Sequence, residues 1–234
     1  MKRSFKKAAI AVAMVALTAM PSLGSVLINS SNIGYNFTVD YTGLVNGSTT
    51  NLLGGLSTIT FNGLSNNGLT YNFGYSVTND SSVSSRLTAF GFDVDPNVNS
   101  ATSTGTFSSA SLSNNFPQVG TIDVCFEADA NGNCTGGSGG LNKDQTGSGT
   151  FALTFAQVMQ SVSLSDFTTR FQSINPTING GNSGVGIGAV VGGGGGQPIT
   201  APEPGTWLMM LGGFGLVGFA MRRRRGLVVR PQIA

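Results

Sequence analysis

Leu69-Thr70-Tyr71-Asn72-Phe73-Gly74-Tyr75-Ser76-Val77-Thr78 is the stretch that decides the fold. Leu69, Tyr71, Phe73, Tyr75 and Val77 are apolar or aromatic, and the residues between them are small or polar. A period of two over this length is what a half-buried strand produces, because successive side chains leave opposite faces of the backbone. The same alternation runs through Tyr35, Phe37, Val39 and Tyr41, set against Asn36, Thr38, Asp40 and Thr42.

Shorter repeats of this kind occur at Ser57 to Phe61, Leu87 to Val94, Thr121 to Ala128, Gly149 to Phe155 and Val162 to Ile174. Turn signals separate them: Asn46-Gly47, Asn62-Gly63, Asn67-Gly68, Asp95-Pro96-Asn97 and Asn131-Gly132. No part of the body sustains a helical period. Seven or eight strands with turns at short intervals predict an all-β fold, a single antiparallel β-sandwich or jelly-roll-like domain. Its core is expected to hold Phe37, Ile59, Phe61, Tyr71, Phe73, Phe90, Phe92, Phe126, Phe151 and Phe155, since aromatic rings dominate buried area.

Outward from that body, Gly180 to Thr200 contains five glycines in a row and reads as a flexible tether, because glycine loses much backbone entropy on ordering. The exported domain is therefore set at residues 25–179 and the glycine-rich linker at 180–201. At the other end, Lys2, Arg3, Lys6 and Lys7 precede twelve apolar or small residues, Ala8 to Ala19, then Pro21 and Ser22-Leu23-Gly24. This order describes a secretory signal peptide, a short helix removed after residue 24. An amphipathic surface helix is excluded because the apolar run has no polar face.

Thr206 to Met221 is apolar or glycine after its first residue and is followed by Arg222, Arg223, Arg224 and Arg225. As a helix it is about 24 Å long, a short span for a hydrocarbon core of about 30 Å. The guanidinium groups cannot shed their charge, so they stop transfer and stay on the cytoplasmic side with the tail 226–234. A buried core helix would show a polar stripe, and none is present.

The full chain of 234 residues has a formal charge of +2, yet nine of its twelve basic residues lie in the two end segments. Between Ser25 and Ala201 there are nine acidic residues and three basic ones (Arg86, Lys143, Arg170), which leaves −6. Such a body lacks the positive footprint that nucleic acid requires. The chain has no histidine. The Gly136-Gly137-Ser138-Gly139-Gly140 run consequently lacks the base partner of a nucleophile elbow and sits outside a strand–turn–helix context.

Cys125 and Cys134, the only cysteines, have eight residues between them. In an exported chain an even pair predicts a disulfide, while a redox or metal pair would want Cys-x-x-Cys spacing or histidine partners. Asp93, Asp95 and Asn97 (with Asn99), and Glu127, Asp129, Asn131 and Asn133, space oxygen ligands at alternate positions, the weak calcium candidates of the chain. The competing role for such residues is turn initiation. Asp93/Asp95 or Glu127/Asp129 could also share a strand face as glycosidase carboxylates, but no second catalytic signature accompanies them. No cofactor motif is present, and the body is expected to be non-enzymatic.

Pro202-Glu203-Pro204, the apolar segment opening with Gly205-Thr206-Trp207 and the arginine cluster together resemble the PEP-CTERM sorting signal over residues 202–225. The resemblance implies processing by exosortase, a membrane-embedded protease, with passage from the inner membrane to the cell surface or extracellular matrix. It also implies a structural or adhesive role beside exopolysaccharide. The runs Arg86 to Val98, Val124-Cys125-Phe126 and Leu164 to Ile174 are similar to the cistern family of PEP-CTERM proteins, which implies no catalytic residues. A carbohydrate- or ice-binding module is the alternative reading. It needs flat ranks of threonine, of which Thr38/Thr42 and Thr58/Thr60 are the short sequence trace.

Overall fold

β-Branched and aromatic residues alternate with small polar ones along most of the body, and each such run pairs with another through backbone hydrogen bonds. The structure, a computed structural model, describes residues 24–129 and 131–194. The strands are β1 (Val26–Asn29), β2 (Asn36–Val45), β3 (Ser48–Ser65), β4 (Thr70–Thr78), β5 (Ser84–Asp95) and β6 (Ser100–Ser103). They continue with β7 (Ser109–Phe116), β8 (Gly120–Glu127), β9 (Leu141–Asn142), β10 (Thr146–Thr154), β11 (Ser161–Asn175) and β12 (Gly184–Gly194). The signal helix 1–24, apart from Gly24, and the sorting segment 202–225 with its helix 206–221 and tail 226–234 lie outside the described residues. Among the described residues no helix is long and apolar enough to cross a membrane.

The expected two-layer sandwich or jelly roll gives way to one continuous antiparallel sheet rolled nearly into a barrel. Its order is β6-β10-β4-β3-β2-β12-β11-β5-β8-β7, with β1 on β11 and β9 on β5. The two ends of the sheet, β6 and β7, follow each other in the chain and lie side by side without a ladder between them. Tyr75 closes this seam from across the sheet. Its hydroxyl donates to the Thr104 carbonyl at 2.8 Å and accepts the Phe107 N–H at 2.9 Å, which fixes the β6–β7 connection.

All ten expected core residues are buried. Phe151 of β10 meets Phe126 of β8 at 4.7 Å and Phe92 of β5 at 5.7 Å between ring centroids. These strands are not neighbours in the sheet, so the contacts cross the interior and show why a rolled sheet with this many inward rings needs no second layer.

The largest departure concerns the glycine-rich stretch. Residues 184–194 are not a tether: they form β12, paired to β2 on one side and β11 on the other. The physical reason is space. A Cβ at Gly188 would come within 2.7 Å of Phe167 Cβ and of Val39 Cγ1, and one at Gly186 would run into Thr169 and Tyr41. Glycine alternates with Val185, Ile187 and Ala189 because neighbouring side chains already fill the inner face. The domain accordingly extends past residue 179 to Gly194.

Asn62-Gly63 is likewise not a turn. It forms a bulge inside β3, where the register against β4 shifts between Phe61 and Gly63.

Candidate functional site

Four adjacent strands, β3, β4, β10 and β6, contain no charged residue. Their outer side chains are mostly Thr, Ser and Asn, and threonines face one another across the ladders. Thr78 and Thr146 hydroxyls are 2.8 Å apart, Thr104 and Thr150 2.8 Å, and Thr70 and Thr154 2.9 Å. Thr38 and Thr58 continue the pattern toward β2 at 3.5 Å. Gly74 in β4 leaves a gap in this wall. An open groove of about 210 Å³ lies there, lined by Asn62, Asn72, Thr102, Thr104, Thr150 and Ala152. Chemically the groove offers neutral donors and acceptors and no group able to act as a strong acid, base or nucleophile.

A second recess of about 240 Å³ lies beside Asp40, Thr42, Asn51 and Asp80. Partial burial, reinforced by the nearby Asp40 charge, raises the Asp80 pKa.

On the opposite wall the β7–β8 hairpin leaves the sheet. β8 pairs with β5 from Phe92–Val124 to Ala89–Glu127. Beyond Phe92 the ladder is replaced by side chains: the Asp123 N–H donates to Asp93 Oδ1 at 3.0 Å, and the Val94 N–H donates to Asp123 Oδ2 at 2.9 Å. Gly91 permits the departure, since a Cβ there would strike Ile122 and the Val124 carbonyl. Phe116 and Ile122 then bury against Ala89, Val185, Leu44 and Ile187 on the outside of the sheet. The Gln118 side chain accepts the Gly47 N–H at 3.1 Å in the β2–β3 turn.

Within this outer cluster, the Cys125–Cys134 disulfide is formed and buried. It anchors a loop wrapped around two carboxylates. Glu127, only 1 % exposed, accepts the N–H groups of Asn133 (2.9 Å) and Gly136 (3.1 Å). Asp129 accepts those of Asn131 (3.1 Å) and Ser138 (3.0 Å). The loop carbonyls turn toward cations: Arg170 Nε donates to Thr135 O at 2.9 Å, and Arg86 donates to the carbonyls of Gly137 and Gly139. Burial lowers the Arg170 pKa. Gly137 packs so closely on Asp129 that a side chain would collide with its carboxylate.

The structure thus gives the oxygen-rich candidates other employment. Asp93 and Asp123 clasp backbone, Asp95 is exposed at the end of β5, and Asn97 lies in the following turn. Glu127 and Asp129 each accept backbone N–H groups of the loop. Among the described residues no three His, Cys, Asp or Glu side chains gather in one place. The hydroxyl wall escapes sequence reading because its ranks run across strands, and ladder register is not visible along the chain.

The sorting elements Pro202, Glu203 and Pro204 and the arginines 222–225 lie outside the described residues. Comparison with curated proteins and with solved structures returns no match. A family model does match, and it covers the sorting signal alone, without reaching the segments that carry the likeness to the cistern family. Residues 200–225 match the PEP-CTERM protein-sorting motif, which implies an exported surface protein sorted by an exosortase.

Proposed function

We propose that this chain is a structural or adhesive component of the extracellular polymer matrix, delivered through a membrane-anchored precursor. The match of the sorting motif at residues 200–225 carries the reading. The signal peptide 1–24 directs export, the helix 206–221 holds the precursor in the inner membrane, and Arg222 to Arg225 keep the C-terminal tail cytoplasmic. Exosortase then processes the chain, and the barrel reaches the cell surface without catalytic activity or cofactor.

The uncharged wall of β3, β4, β10 and β6 supports an exopolysaccharide partner. Its hydroxyls and amides match a neutral polyhydroxylated chain in donor and acceptor character, with no charge to desolvate. Replacing Pro202-Glu203-Pro204 with alanines is expected to abolish processing, read as the mass of the mature C-terminus. Unchanged release of the altered protein would refute the sorting assignment. A glycan array tests the matrix role, with Thr150→Lys and Asn72→Lys expected to abolish binding.

The second reading, a carbohydrate- or ice-binding module, draws on the same threonine ranks. Thermal hysteresis that disappears on Thr58→Lys would favour ice over glycan.

A further inference from the structure

The end of the barrel from which the chain departs differs from the other end. The chain leaves β12 at Gly194, which pairs with Asn36 at the start of β2. The same end carries the loops 30–35, 66–69, 96–99 and 155–160, and none of these contains a charged residue. The loops at the opposite end bear Asp80, Lys143 and Asp144.

Among the described residues, the three most exposed large apolar side chains also belong to the departure end. Ile33 is 69 % exposed, Val191 59 % and Val158 55 %. Ile33 rests on Gly63 and Val158 on Gly68, so a Cβ at either glycine would meet the apolar side chain at 3.2 or 3.4 Å. Both glycines have φ above +80°, and the β3–β4 connection between them forms a platform holding Ile33 and Val158 outward. Leu64, next to the end of β3, adds a further exposed apolar side chain. Val191 projects where β12 bulges, three residues before Gly194.

The length of chain that follows says what covers this end. Pro202 comes eight residues after Gly194, so the span is at most about 29 Å even when fully extended. That is no more than the length of one of the barrel's own ten-residue strands, about 33 Å. A domain held so closely presents its departure end to the membrane. Uncharged loops tipped with Ile, Val and Leu are the surface that partitions into the headgroup boundary, where a charged rim would be repelled or strongly hydrated. Asp95, at the β5 side of the rim, limits the contact to the side formed by β12, β2, β3 and β4.

We propose that this end of the barrel, tipped by Ile33, Val158 and Val191, rests on the outer surface of the lipid bilayer in the precursor and so sets the height of Pro202-Glu203-Pro204 above it. The inference depends on the anchored-precursor reading, and its test separates the two.

Full-length protein is reconstituted in phosphatidylethanolamine and phosphatidylglycerol vesicles containing lipids brominated in the upper acyl chain. Trp207, the only tryptophan of the chain, reports on the anchor. Ile33→Trp, Val158→Trp and, at the far end, Thr49→Trp are each placed in a Trp207→Phe background. Emission is expected to fall about twofold at positions 33 and 158, as for a side chain lying 5–10 Å into the boundary region, and to stay unchanged at position 49. Quenching of Trp207 without quenching at 33 and 158, or equal quenching at all three introduced sites, overturns the docking and leaves the anchor standing. An unquenched Trp207 overturns the anchor, and the docking with it. Burial at 33 and 158 that appears only when the processing protease is reconstituted alongside assigns the face to that protein and also overturns the lipid assignment.

Discussion

Asp93 and Asp123 each hold the backbone of the other's strand, at 3.0 Å and 2.9 Å, where the β5–β8 ladder ends. The pair replaces a backbone ladder with two carboxylates, which lets the β7–β8 hairpin swing across the outside of the sheet while its N–H groups stay satisfied. Asp123→Ala strips the Val94 N–H of its acceptor and is expected to cost about 1–3 kcal/mol. Asp93→Ala does the same to the Asp123 N–H. Because both bonds clamp one departure point, the double substitution should cost less than the two single losses added together. Urea unfolding of the four proteins measures this, and strict additivity would show that the bonds act independently.

Acidity offers a separate test. Partial burial, with the charges of Asp123 and Asp166 nearby, raises the Asp93 pKa, and partial burial next to Asp40 raises that of Asp80. A carboxyl whose folded pKa lies above its unfolded value binds more proton in the folded state between the two. Stability therefore falls as pH rises through that window, from the ordinary carboxyl value up to the raised one. Asp80, whose side chain makes no hydrogen bond to another of the described residues, is the cleaner probe. Asp80→Asn is expected to raise the urea midpoint at neutral pH and to flatten its dependence on pH across the acidic range. A variant less stable than the parent at pH 7 would contradict this.

The disulfide and Glu127 should act as one unit. Reduction of Cys125–Cys134 is expected to cost about 2–3 kcal/mol on the loop-entropy account. Glu127→Gln places an amide N–H₂ against one of the two N–H groups now accepted and should cost about 1–3 kcal/mol. Hydrogen exchange at Asn133 and Gly136 reports the loop directly. Both changes should accelerate exchange there while leaving the β3–β4 ladder protected.

Glycine spacing in β12 makes a sharper prediction. Gly188→Val drives methyl groups into Phe167, Val39 and Tyr41 and is expected to cost about 1–3 kcal/mol or to prevent folding. Gly192→Ala meets open space and should be neutral or slightly stabilising, since alanine loses less entropy on ordering. Thermal midpoints of the two variants check the contrast, and equal effects would place β12 outside the packed sheet.

Legibility of the sequence follows the local physics. Alternation through Tyr35–Tyr41 and Leu69–Val77 identifies β2 and β4 and the face each buries, because period two belongs to the chain itself. Phe107, Phe116, Phe167 and Phe171 are also buried but stand outside the expected core, since the first two lie where no alternation announces a strand and the others sit at two register shifts of β11. β12 is hidden for a different reason. Composition points to entropy, whereas Gly184-Val185-Gly186-Ile187-Gly188-Ala189 carries the same period of two with glycine in place of the inward side chain. At the candidate site, the cysteine pairing follows from export and number, and the disulfide joins the expected residues. The hydroxyl wall and the Asp93–Asp123 clasp depend on which strands adjoin, and adjacency across the sheet leaves no trace in local order.

β12 also imposes a timetable. It is the final strand of the barrel in chain order, and it alone joins the β2 side to the β11 side. A polypeptide delivered amino end first across a membrane would carry two gaping halves until residues 184–194 emerge. A fragment ending at Asn179 should accordingly aggregate through those open edges, while one ending at Gly194 should not. The last strand closes the sheet only eight residues ahead of Pro202, so the finished barrel and the sorting motif emerge almost together.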